Sequence, residues 1–146
     1  MSRAEQGLDP LAQITVTMPY GRTKQLSDLV NGWAKHVERL QAEEHCSLDD
    51  PLVWGADDYI GALHLRDLVV TGVDQSPPEI HDVALVRVAA VDGAFMSFTE
   101  PDLRGIIDRF SGEEHSESEW WWRRLPKSGP VREELEQIAG RDPGTS

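Results

Sequence analysis

Three consecutive tryptophans, Trp120, Trp121 and Trp122, stand between an acidic run (Glu113, Glu114, Glu117, Glu119) and two arginines, Arg123 and Arg124. Tryptophan and arginine are the residue types most enriched among the anchors of protein–protein contacts. In an extended segment Trp120 and Trp122 face one way and Trp121 the other; in a helix the three spread over about 200°. Neither geometry fits one narrow core stripe, so the spacing predicts that one or two rings plug an end of the fold while one lies near the surface. Arg123 and Arg124 can stack on the rings or pair with the acidic run. The competing role for the cluster is a purely structural cap. As a docking surface it comprises Trp120, Trp121, Trp122, Arg123, Arg124, Glu117 and Glu119, with Trp121 as the anchor.

A second concentration of reactive types lies in "WGADDYIGALHLRD", where Asp57, Asp58, Tyr59, His64, Arg66 and Asp67 punctuate an apolar helix pattern. His64 stands four residues from both Ile60 and Leu68, on a stripe expected to be buried, and Arg66 can pair with Asp67 or with a carboxylate of a neighbouring helix. Convergence in a pocket would make Asp58, His64, Arg66 and His81 a small-molecule site. Otherwise these groups form a buried polar network that fixes helix register. His45 beside Cys46 could lower a thiol pKa, yet neighbours at a helix end point about 100° apart and share a site poorly. The two "EEH" copies, Glu43–His45 and Glu113–His115, could ligate a divalent ion only if the fold joined them.

Phosphate-loop, dinucleotide, nucleophile-elbow, zinc-protease and C-x-x-C signatures are all missing, as is any histidine three residues after a glutamate for a helical di-iron centre. The reading is therefore no catalytic residue, no metal and no cofactor. One cysteine in 146 residues rules out an intramolecular disulfide. Fourteen Lys and Arg against 26 Asp and Glu give a net charge of −12, which disfavours nucleic acid and anionic membranes and would steer a basic protein partner. No apolar run reaches the roughly 20 residues of a membrane span. The first residues lack the apolar core of a secretory signal, so the expectation is a cytoplasmic protein.

These groups must be positioned by helices. "QITVTMPYG" alternates Ile14, Val16 and Met18 with polar residues, a short strand or extended arm with no evident partner. From Thr23 to about Glu44, the spacing of Leu26, Leu29, Val30, Trp33, Val37 and Leu40 predicts an amphipathic helix. A second is expected over about Ala56–Val70, stopped by Gly72. "SPPEI" predicts a third, with Ser76 capping the amide of Glu79, carried by Ile80, Val83, Ala84, Val88, Val91, Phe95 and Phe98. "TEPD", with Thr99 as cap, opens a short fourth through Leu103, Ile106, Ile107 and Phe110, and Pro130 opens a fifth ending at Gly140. The expected fold is all-α: a single-domain bundle of four to five helices over 1–146 around Trp33, Leu63, Val91 and Ile107. A short N-terminal extended segment completes it, with 1–12 and 141–146 frayed.

The blocks "WGADDY", "SFTEPD" and "WWWRRLPKSGPVREEL" resemble small actinobacterial proteins in which a similar order of blocks recurs, over about Tyr20 to Ile138. That resemblance implies a bacterial cytosolic protein and carries over no functional residue. The functional expectation is a non-enzymatic, acidic protein-interaction module, acting as a toxin-neutralising or regulatory protein; a surface mimicking double-stranded DNA is a variant of it. The alternatives are a small-molecule-binding protein or enzyme around His64, and a structural subunit of a homo-oligomer.

Overall fold

The alternating stretch after Gln13 does find a partner. In a computed structural model that describes residues 9–141, strand β1 (Thr15–Thr17) pairs antiparallel with β2 (Thr23–Gln25), Thr15 opposite Gln25 and Thr17 opposite Thr23. Gly21, at φ 92°, supplies the left-handed turn between them. Val16 and Met18 turn into the core while Thr15 and Thr17 face out, the period-2 signature of a half-buried strand. Before β1 a short 3-10 turn, Pro10–Gln13, is capped by Asp9, whose Oδ1 accepts the Leu11 amide at 2.9 Å; Leu11 is fully buried. Of the 1–12 stretch expected to fray, residues 9–12 form this capped turn, and 1–8 and 142–146 lie outside the described residues.

Because Thr23–Gln25 are taken by β2, helix α1 starts later than its apolar spacing suggests and spans Leu26–Ala42. All six of its expected core residues are buried. Helix α2 (Ala56–Gln75) runs through Gly72 instead of stopping there. A Cβ on Gly72 would lie 2.7 Å from Leu26 Cδ1 and 3.2 Å from both Leu29 Cδ1 and Val16 Cγ2, so the glycine permits close approach of α1 and β1. The end of α2 is tied to β1 by the Gln75 amide, which bonds both the N–H and the carbonyl of Thr17 at 2.9 Å.

Helix α3 (Pro78–Phe98) follows with Pro77 at its N-cap; the Ser76 hydroxyl donates backward to Val73 at 2.6 Å and closes α2, where the sequence suggested a cap on Glu79. Strand β3 (Thr99–Pro101) and strand β4 (Arg124–Pro126) then pair antiparallel, Glu100 opposite Leu125. Thr99 is a strand residue, and its hydroxyl donates to the Phe95 carbonyl. The cap of helix α4 (Ile106–Ser111) is Asp102, whose two oxygens accept the amides of Ile106 and Ile107 at 3.0 and 2.8 Å. A second 3-10 turn, Trp120–Arg123, leads into β4, and helix α5 (Pro130–Arg141) completes the described chain.

Among the described residues the architecture is five α-helices and two small antiparallel sheets, mostly helical but not all-α. Helix α1 packs chiefly on α2 and next on α3. Trp33, Leu63 and Ile107 are fully buried as expected, whereas Val91 is only partly so. No helix among the described residues is long and apolar enough to cross a membrane.

Candidate functional site

Asp67, on the C-terminal half of α2, gathers the tryptophan segment. Its Oδ1 accepts the indole N–H of Trp121 at 2.7 Å and that of Trp122 at 2.9 Å. Burial pushes the Asp67 carboxyl above its ordinary pKa; the two indoles pull it back, and the nearby Glu119 carboxylate adds to the rise. One residue earlier, Arg66 forms a two-pronged pair with Asp92 of α3, both contacts 2.9 Å, and lies 4.2 Å from the Trp121 ring centroid. Asp92 Oδ1 also accepts the indole N–H of Trp33 at 2.9 Å. Successive residues of α2 thus fasten α1, α3 and the tryptophan turn.

This network buries two of the three tryptophans. Trp121 is 3% exposed and Trp122 1%, and Trp120 is half-buried, its ring centroid 6.1 Å from that of Phe95. The expected docking anchor Trp121 is a core residue, and a partner meets little of it or of Trp122. Arg124 does not stack on them either: its guanidinium bonds the Thr99 hydroxyl at 2.9 Å and the Thr99 carbonyl at 2.8 Å. Its own carbonyl accepts the buried Tyr59 hydroxyl at 2.6 Å, and burial holds that phenol neutral by raising its pKa. Arg123 donates to the His115 carbonyl at 3.1 Å. Glu119 accepts the amide and hydroxyl of Ser116, which lower its pKa, and Glu117 is exposed.

His64 is not buried: its side chain is 47% exposed and meets the edge of Trp122 at 4.8 Å. His115 stacks on Trp122 at 3.7 Å, and Glu113 Oε2 lies 3.3 Å from His115 Nε2 and 3.8 Å from His64 Nε2. His45 pairs with Glu44, while His115 pairs with Glu113 and Asp108, and no ion pair among the described residues joins the two "EEH" copies. Among the described residues no group of three His, Cys, Asp or Glu side chains has a geometry for holding a metal ion.

Of the four residues expected to share a pocket, two do. Arg66 and His81 border a groove of about 180 Å³ between α2 and α3, lined by Val69, Val70, Val73, Asp74, Leu85 and Val88. Asp58 instead accepts the Gly55 amide at 3.0 Å at the start of α2. The Arg66 guanidinium is already committed to Asp92, leaving a groove that is mainly aliphatic.

The groove opens onto a surface that the sequence reading missed. Helix α3 buries Ala84, Val88, Phe95 and Phe98 on one side, while Val83, Leu85, Val86, Ala89, Ala90, Gly93 and Met96 are exposed on the other. Its two charges within this stretch turn away: Asp92 to Arg66, Arg87 to Asp9 at 2.6 Å. Among the described residues no charged side chain therefore stands on the outer face between Val83 and Ser97. The signal lay in the sequence as apolar residues on both sides of the helix, the pattern of a helix covered all round.

The described residues form a small, mostly helical domain with a largely internal aromatic network and an open apolar face. No protein-family model, curated protein or solved structure matches this chain.

Proposed function

We propose that this chain is a non-enzymatic protein-interaction module that docks through the outer face of α3 and the groove beside it. The observation that carries the reading is the charge-free strip from Val83 to Ser97, with Val86 71% exposed, in a chain whose net charge is −12. Isolated exposed aliphatics are common, but a contiguous patch of them marks a contact surface. The groove of about 180 Å³ is smaller than the roughly 300 Å³ at which ligand pockets begin, and its one cationic group is already paired. A protein surface fits it better than a small molecule. The occupant such a face selects is an uncharged, apolar protein surface, and the acidic remainder of the chain lies outside it.

The test is photo-crosslinking in the native cell, with a benzophenone amino acid placed at Val86 and, as control, at the exposed Asp28 of α1. A discrete cross-linked product at Val86 alone supports the module. No product at Val86, or equal products at both sites, overturns it.

A further inference from the structure

The strip on α3 is bounded asymmetrically. Glu79 and Asp82 stand at its N-terminal end, both exposed. At its C-terminal end Lys127 Nζ lies 3.4 Å from the Ser97 carbonyl and Arg124 reaches the Met96 carbonyl at 3.4 Å. Anions at one end, cations at the other and an uncharged middle are complementary to the same arrangement run backwards. We infer that the occupant of this face is a second copy of the chain, packed with its α3 antiparallel about a two-fold axis near Ala90. The inference rests on the module reading and names the partner for that surface.

The two-fold geometry accounts for the face residue by residue. An axis at Ala90, the midpoint of the charge-free stretch, sets Val83 level with Ser97 of the second copy and Ala90 against itself. Glu79 and Asp82 then approach Lys127 of the other copy, and the helix dipoles oppose favourably. Ala89, Ala90 and Gly93 lie at the centre, where small side chains let two helix backbones approach closely. Met96 leans to the side of α3 that carries the groove, and the axis sets it opposite position 84 of the second copy, between the groove residues His81 and Leu85. A flexible thioether suits such an irregular recess. A Cβ added at Gly93 would meet nothing within 4 Å, so nothing in its own chain requires a glycine there.

A strip about 21 Å long is at the small end of protein interfaces, so the association should fall in the micromolar range. A face made for a strongly basic protein would carry carboxylates, and between Val83 and Ser97 it carries none. The two readings respond oppositely to salt. Two chains of −12 repel at long range, so screening strengthens the pair, while it weakens a complex with a basic protein.

Sedimentation velocity on the full chain, from low to high micromolar concentration at ~0.05 M and ~0.5 M NaCl, reads the association directly. The expected result is a monomer–dimer equilibrium that strengthens with salt. Ala90→Asp, which sets two carboxylates opposite each other, should weaken it by more than about tenfold with unchanged helical circular dichroism. In a Cys46→Ser background, Ala90→Cys should oxidise to a covalent dimer and Glu79→Cys should not. A wild type that stays monomeric throughout, or a dimer that persists in Ala90→Asp, overturns the second copy as occupant. The photo-crosslink separates the two failures. A Val86 product with a different polypeptide keeps the module and removes the dimer, whereas no product removes both.

Discussion

Asp67 holds two indole N–H groups on one oxygen, so its value to the fold lies in acceptance of hydrogen bonds, not in charge. Asp67→Asn keeps an acceptor oxygen and should be well tolerated. Asp67→Ala leaves two largely buried donors unpaired and should cost about 2–4 kcal/mol in urea denaturation. Because burial raises the Asp67 pKa, its stabilising effect is complete below the unfolded-state value and is lost as pH rises through the raised folded value. The stability of wild type relative to Asp67→Asn should therefore decline as pH climbs from about 4. Glu119, with a lowered pKa, has the opposite sign: its contribution is present above its unfolded value and lost as pH falls through the folded one. The sequence made the choice between cap and docking surface legible for Trp120–Trp122 but could not decide it. The burial of Trp121 and Trp122, which bears on it, depends on Asp67, more than fifty positions away, facing them.

At the scale of elements, glycine illustrates how one residue type carries different instructions. Gly72 reads in sequence as a helix stop, yet α2 continues for three residues beyond it, because Leu26, Leu29 and Val16 crowd the space a Cβ would fill. Gly93 sits mid-helix with open space beside it. Gly72→Ala should destabilise the protein by about 1–3 kcal/mol through overpacking. Gly93→Ala should stabilise the monomer by up to about 1 kcal/mol by favouring helix. Thermal unfolding of the two variants at low concentration checks both signs. The caps show the same dependence on context: Ser76 and Thr99 have the chemistry to start helices, but their hydroxyls bond backward to Val73 and Phe95, and Asp102 starts α4 instead.

Across the whole molecule the strongest influence outside the core is charge. A net −12 raises the energy of the compact state through self-repulsion, which salt screens within about 8 Å at physiological strength. Melting temperature should rise by about 2–5 °C between ~10 and ~150 mM NaCl. Measuring it on Ala90→Asp at low concentration keeps association from contributing. A flat or falling response would mean that internal ion pairs such as Arg66–Asp92 and Arg87–Asp9, which salt weakens, outweigh the repulsion.

Features that are periodic or punctuated along the chain were legible before folding: the six-residue stripe of α1, the existence and order of five helices, the alternation of β1. These are local, since an apolar spacing of 3.6 or 2 selects its own secondary structure wherever a core exists to receive it. Pairing at a distance came from the folded arrangement alone. It joined β1 to β2 and β3 to β4, Arg66 to Asp92, and Trp121 and Trp122 to Asp67, and among the described residues it left one side of an apolar helix without cover. Hydrogen-bond partners and burial depend on which surfaces meet, and no spacing along the chain records that.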